Sequence, residues 1–364
     1  MNLEEVHPSL GHCRLVRQLD LSDCHKLKKL PELRLGNLNH LSLRGCLRLT
    51  ETLNFGDMLN LETLMLNKCE NLEEVHPSLG HCRMLTTLNL RDCPKLDTFP
   101  EFNGDMHCLK ILTIKSTGIR EMPSSIGNLS GLNELNLEGC EDLVSLPNNL
   151  CNLKNLQCLF LRGCKKLEKL PENIGELQEL ETLDARETAI SQPPPSITKL
   201  GKLRYLNILG GLPEDLGSLQ SLESLDVSGS NISCLPKSIK ELLGLETLDV
   251  QFCQNLNELP EELPPNLRKL SADYHLALKS IRDLLNKCVK LRRLSISWCG
   301  HEKTEYGTVS REQVNVWKSS QHLIRTCIQC DYHQRDYFLI YFPEVRILEL
   351  FNYQFINQIW SQLI

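Results

Sequence analysis

The chain has 364 residues, 41% hydrophobic and 24% charged, with a formal net charge of −6, a balance that belongs to a folded chain and excludes a disordered one. That length is more than twice an ordinary domain of about 150 residues, so the chain holds either two domains or one elongated one. Its longest apolar run, Tyr337–Phe342, is far short of the roughly 20 residues a helical membrane span needs, and its mild acidity gives no general pull toward polyanions. Neither a membrane span nor a nucleic-acid partner is expected.

The N-terminus, Met1 to His7, carries two acids and no apolar stretch, unlike a secretory signal. The expected location is therefore cytoplasmic, with the nucleus as a further option. Seventeen cysteines, an odd number in such a chain, point to reduced thiols rather than a disulfide framework. Of 73 leucines, 68 lie in residues 1–300, whereas 11 of the 19 aromatic residues lie in 301–364. This contrast divides the chain into residues 1–300 and residues 301–364.

Within residues 1–300 the pattern L-x-x-L-x-L recurs thirteen times, with its first apolar position at Val16, Leu38, Leu61, Leu85, Leu109, Leu132, Leu156, Leu180, Leu203, Leu222, Leu245, Leu267 and Leu291. Apart from one step of 19, the spacings are 22 to 24. The alternation in each unit, as in Leu135-Asn136-Leu137, has the period of two expected of a short strand buried on one side. Eight positions after this anchor, eight units carry a cysteine: Cys24, Cys46, Cys69, Cys93, Cys140, Cys164, Cys253 and Cys299. A thiol at the same rung of most repeats reads as a structural column rather than a nucleophile or metal ligand, because a nucleophile needs one base beside one thiol.

The second half of the unit reads L-P-x-x-I/L-G-x-L, as in Leu170-Pro171-Glu172-Asn173-Ile174-Gly175-Glu176-Leu177. Proline fixes φ and suits a first helical turn, so this half is expected to be a short helical or 3₁₀ turn. Strands on one side and wider turns on the other predict an α/β solenoid, a horseshoe with a concave parallel sheet. The 19-residue step between Leu203 and Leu222, with Gly210-Gly211 in it, should disturb the curvature locally.

Residues 2–13 recur unchanged at 71–82, an offset of 69 that equals three successive spacings. A duplication of three whole units is the simplest account. No polar capping unit is recognisable before the first repeat, and no G-x-x-x-x-G-K-[ST] loop occurs in the chain. The chain is therefore expected to be part of a longer protein, and no cofactor is expected.

These repeats, with phrases such as Leu137-Glu138-Gly139-Cys140 and Ile119-Arg120-Glu121-Met122-Pro123-Ser124-Ser125-Ile126, resemble the cysteine-bearing leucine-rich repeats of plant nucleotide-binding disease-resistance receptors of the TIR class. The resemblance implies a non-enzymatic, protein-binding segment that senses pathogen effectors and restrains the receptor's own nucleotide-binding module. A Ras-pathway-type scaffold is the alternative, because its repeats share the L-P-x-x-I-x-x-L phrasing.

A binding face should lie on the strand residues between the leucines. Six positions after the anchor stand Arg44, Asn67, Arg91, Lys115, Glu138, Arg162 and Arg186, a basic stripe interrupted by one acid; Asp184, Asp226 and Asp249 stand four after it. Phe160, Tyr205, Phe252 and Trp298 are aromatic at outward positions, a residue class enriched in binding hot spots. The candidate partner-binding set is Arg44, Arg91, Lys115, Arg162, Arg186, Phe160, Tyr205, Phe252 and Trp298.

After Cys299-Gly300 a polar linker leads to Tyr337–Phe342 and Pro343. Phe342, Pro343, Ile347 and Phe351 match part of the F-P-G-x-x-I-P-x-W-F stretch that opens the post-repeat jelly-roll domain of the same receptors, which implies a truncated β-rich segment over 301–364. His322, Cys327, Cys330 and His333 provide a single C-x-x-C between two histidines, without the second pair a zinc site normally has. A ubiquitin ligase working through Cys330 is the weakest reading.

Overall fold

A computed structural model of the chain describes residues 3–272 apart from 103, 105, 257 and 258, then residues 290–297, and the backbone of 325–327 and 347–351. The chain divides into two compact units at Asn207/Ile208, inside the shortened repeat.

In the first unit each repeat contributes one short strand: β1 (Gln18–Asp20), β2 (His40–Ser42), β3 (Thr63–Met65), β4 (Thr87–Asn89), β5 (Ile111–Thr113), β6 (Glu134–Asn136), β7 (Cys158–Phe160), β8 (Thr182–Ala185) and β9 (Tyr205–Ile208), the last of which reaches the boundary. From β1 to β8, neighbours pair in parallel and without slippage, so Leu19, Leu41, Leu64, Leu88, Leu112, Leu135, Leu159 and Leu183 form one column. All but Leu19 are fully buried, each gaining roughly 2 kcal/mol from removal of its side chain from water. A slip of one residue would turn this column to the opposite face, and that cost fixes the register.

The outer half of the repeat takes the tighter of the two expected conformations. Pro8–His12, Pro77–His81, Ser124–Asn128, Asn148–Asn152, Ile174–Glu176 and Pro195–Lys199 are 3₁₀ turns, since five residues or fewer do not sustain an α-helix. Pro123, Pro147 and Pro194 cap these turns in extended conformation. Ile126, Leu150 and Ile174 then point into the core.

The second unit repeats the scheme with β10 (Ser224–Asp226), β11 (Thr247–Asp249), β12 (Lys269–Ser271) and β13 (Arg293–Ser297), again parallel and in register through Leu225, Leu248, Leu270 and Leu294. Beyond residue 300, β14 (Arg325–Cys327) and β15 (Ile347–Phe351) are described; β15 pairs in parallel with β13 on one side and with β14 on the other. The expected aromatic strand at Tyr337–Phe342, together with Pro343, Trp317, Cys330 and the two histidines His322 and His333, lies outside the described residues. The fold class is thus a leucine-rich repeat solenoid with a parallel sheet.

Candidate functional site

The thiols act as structural hydrogen-bond donors. Five of the column cysteines, each following a tight turn, send their S–H back to a carbonyl of the preceding repeat: Cys46 to Leu21 at 3.3 Å, Cys69 to Leu43 at 3.2 Å, Cys93 to Leu66 at 3.2 Å, Cys164 to Leu137 at 3.2 Å and Cys253 to Val227 at 3.1 Å. Burial pushes the Cys46 thiol up to about 11 and that of Cys164 up to about 12, the opposite of what a nucleophile requires. Among the described residues no group of three or more His, Cys, Asp or Glu is placed to hold a metal ion.

The residue before this column position, whether cysteine, threonine or serine fills it, is held in the left-handed region. Gly45, Gly139, Gly163 and Gly229 supply it freely, while Asp23, Lys68, Asp92, Ser116, Glu187 and Phe252 occupy it with φ between 56° and 64°. Periodicity alone did not show this column, because glycine fills only some of its places. It turns the chain out of the sheet face and sets where the preceding side chain stands.

That preceding position is the basic stripe, and the structure stacks it from repeat to repeat. Ser116, Gly139 and Gly163 donate backbone N–H groups to the carbonyls of Glu138, Arg162 and Arg186 at 2.8, 2.7 and 2.9 Å, so Lys115, Glu138, Arg162 and Arg186 stand in file on successive repeats. They are not free charges. Lys115 Nζ lies 2.7 Å from Glu138 Oε2, and Arg162 Nη2 lies 2.7 Å from Glu187 Oε1. Arg186 forks onto Asp184 with Nη2–Oδ2 of 2.7 Å and Nε–Oδ1 of 3.0 Å. Lys115, Arg162 and Arg186 are therefore balanced by Glu138, Glu187 and Asp184, which corrects the expectation of a basic stripe.

Phe160 lies amid these pairs, between Asn136 and Asp184 in the sheet register. It is half-buried rather than exposed. Tyr205 is 40% exposed and lies beneath the Arg204 guanidinium, 5.6 Å from the ring centroid; Arg204 Nη1 in turn faces Glu181 Oε2 at 3.9 Å. The face over β5–β9 thus gathers Lys115, Phe160, Arg162, Arg186 and Tyr205 into one aromatic-centred, charge-compensated patch.

Of the other predicted residues, Arg44 and Arg91 belong to the same file earlier in the unit, where Gly45, Lys68 and Asp92 donate backbone N–H groups to the carbonyls of Asn67, Arg91 and Lys115 at 2.9, 2.8 and 2.8 Å. Arg44 is exposed in the turn after β2, with no ion pair among the described residues. Arg91 Nε reaches its neighbour Asp92 Oδ2 at 3.2 Å. Phe252, half exposed in the left-handed turn after β11, belongs to the second unit. Trp298 lies outside the described residues.

The acidic column has a backbone role that sequence reasoning missed. Asp184 Oδ1 accepts the Arg186 N–H, Asp226 Oδ1 that of Ser228, and Asp249 Oδ1 that of Gln251, while Asn89 and Asn136 do the same for Arg91 and Glu138. These are Asx turns ending each strand. The signal was present in the alternation of Asp with Asn at that position.

A stacked parallel sheet with a cysteine column and outer 3₁₀ turns is the architecture of leucine-rich repeat interaction modules. The family model described as "Disease resistance protein RPS4B-like, leucine-rich repeats" matches residues 81–305, and the chain belongs to that family. It is also 37% identical over 353 residues to TMV resistance protein N of Nicotiana glutinosa, a match covering 88% of this chain but 27% of that protein; the chain spans about a quarter of this relative. Among solved structures, a leucine-rich repeat protein of Leptospira interrogans aligns with a TM-score of 0.54 at 22% identity, covering 82% of this chain and 88% of that one. The functional domain of InlJ from Listeria monocytogenes, described as including a cysteine ladder, aligns at 0.51 with 13% identity over 87% of this chain and 74% of its own. At such identities the likeness concerns the fold alone.

Proposed function

We propose that this chain is the protein-binding, effector-sensing and autoinhibitory repeat segment of an intracellular plant immune receptor of the TIR class, acting in the cytoplasm or the nucleus and carrying out no catalysis of its own. Membership of the resistance-protein repeat family supports the receptor context. No helix among the described residues is long and apolar enough to cross a membrane. The observation that carries the binding role is the patch over β5–β9, where Phe160 and Tyr205 stand among ion pairs already satisfied within the chain.

Aromatic anchors amid compensated charge favour a partner recognised by shape and apolar contact, with electrostatics fixing orientation. In this reading the patch contacts either a pathogen effector or the receptor's nucleotide-binding module. Residues 301–364 serve as a linker and partial post-repeat β domain.

Co-expression of the chain with the nucleotide-binding module of its receptor in leaf tissue, followed by co-precipitation, tests this. Wild-type chain should bind the module and restrain the cell-death response. The Phe160→Ala/Tyr205→Ala variant should lose both at unchanged thermal stability. Retention of binding by a folded double variant removes the patch, and failure of the wild-type chain to bind either the module or an effector removes the reading.

A further inference from the structure

A second surface of the first unit differs from the rest in charge and polarity. Before each strand a two-residue turn tip stands at the edge of the sheet: Arg14-Leu15, Gly36-Asn37, Leu59-Asn60, Arg83-Met84 and His107-Cys108 precede β1 to β5. These tips stack directly. The Asn37 amide donates to the Arg14 carbonyl at 2.8 Å, and the Asn60 amide to the Gly36 carbonyl at 2.8 Å.

Three of the tips project apolar side chains into solvent, with Leu15 90%, Leu59 57% and Met84 47% exposed. The later tips of the same unit, Ser130-Gly131, Lys154-Asn155, Gln178-Glu179 and Gly201-Lys202, carry none. Leu15 and Met84 hold equivalent places two residues beyond the duplicated segments, and Met84 stays exposed although repeats pack on both sides of it. Exposure is thus a property of the position.

The charges beside this ridge are also unlike their counterparts. Further along the unit, Lys154 pairs with Glu176 at 2.9 Å and Lys202 with Glu179 at 2.6 Å, each one repeat away. Beside the ridge, Arg14, Arg17, Arg83 and Lys110 are exposed and form no ion pair among the described residues. Among the described residues the carboxylates there are Glu62 and Asp57, and Asp57 already faces Arg34 at 3.8 Å. The edge combines apolar residues on three of its tips, Leu15 and Met84 at the second tip residue and Leu59 at the first, with excess positive charge among the described residues.

We propose that this edge of the first five repeats is a docking surface for an acidic amphipathic helix of a protein partner, separate from the β5–β9 patch. The spacing fits such an element. Strands stand about 4.8 Å apart, so Leu15, Leu59 and Met84 span about 15 Å, the length of roughly ten helical residues at 1.5 Å each. Apolar anchors near i, i+7 and i+10 share one helix face, and flanking acids would meet Arg14, Arg17, Arg83 and Lys110. A narrow row suits a rod; a lipid surface calls for a broad face.

The probe is a fluorescein-labelled synthetic helix of about 18 residues, long enough to be helical alone, with leucines at those three places and glutamates beside them. The full chain should bind it with increased anisotropy, weakening as salt rises. Leu59→Glu/Met84→Glu should lose at least about tenfold, Arg83→Glu should weaken it, and a peptide with lysines for glutamates should not bind. Leu59→Ala/Met84→Ala is the control should the charged pair misfold. Equal binding by the variants, no binding by the wild-type chain, or binding to phosphatidylserine vesicles in place of the peptide overturns the proposal.

Discussion

The thiol of Cys140 lies 3.3 Å from the hydroxyl of Thr117, one repeat earlier, and donates to the carbonyl of Ile114 at 3.1 Å. Ser230 and Cys253 repeat the arrangement at 3.3 Å in the second unit. The column therefore accepts any small donor, and its chemistry is that of a buried neutral group.

Stability should consequently fall in alkali. In the unfolded chain a thiol loses its proton near pH 8.5, whereas folding holds Cys46 at about 11 and Cys82 and Cys164 at about 12. Above pH 8.5 the unfolded state binds fewer protons than the native one, so unfolding free energy declines with rising pH. Each such thiol contributes a slope of up to about 1.4 kcal/mol per pH unit. Urea melts at pH 7.5, 9.5 and 10.5 measure it (pH values chosen about the thiol range), and Cys46→Ser/Cys164→Ser should flatten the decline. An equal slope in that variant contradicts the account.

The duplicated dodecapeptide supplies its own control for a second prediction. Ser78 Oγ accepts the buried Phe55 N–H at 2.7 Å, while its twin Ser9 is exposed and meets only local groups, with His7 Nδ1 at 2.7 Å. Ser78→Ala leaves that N–H unpaired and should cost about 1–3 kcal/mol. Ser9→Ala should stay within about 0.5 kcal/mol, and similar losses in chemical denaturation would show that the inter-repeat bond is not the cause.

Much of this fold was legible because stacking repeats one requirement many times. Leucine, proline and the column cysteine recur, so their period exposes strand, turn and ladder, and the 19-residue step coincides with the unit boundary at Asn207/Ile208. The site was less legible. Lys165 pairs with Glu141 and Lys202 with Glu179, one repeat apart in the chain, and such pairs emerge only when charges are compared at the repeat distance rather than down a column. Phe160 stands between Asn136 and Asp184 in the sheet register, and its own sequence context carries no trace of them.

Lys68 should be an improvable position. It holds φ 64°, where Gly45, Gly139 and Gly163 stand at equivalent turns. A left-handed conformation costs a non-glycine residue roughly 1–2 kcal/mol, partly offset by the extra backbone freedom glycine brings to the unfolded chain. Lys68→Gly should therefore raise unfolding free energy by about 0.5–1 kcal/mol, and a loss in urea denaturation would refute the strain.

Asp184 does two jobs that substitution can separate. Its Oδ1 accepts the Arg186 N–H at 3.2 Å to end β8, and its two oxygens hold the Arg186 guanidinium. Asp184→Asn keeps the turn, as Asn89 and Asn136 do in their own repeats, and removes the charge pairing. It should cost less than about 1 kcal/mol, the worth of a partly exposed pair. Asp184→Ala loses the turn as well, at about 1–3 kcal/mol for a backbone donor left without its partner. Equal losses in the two variants would mean that the ion pair, rather than the turn, holds this corner of the patch. The predicted inequality places the turn first, with Arg186 orientation following from it.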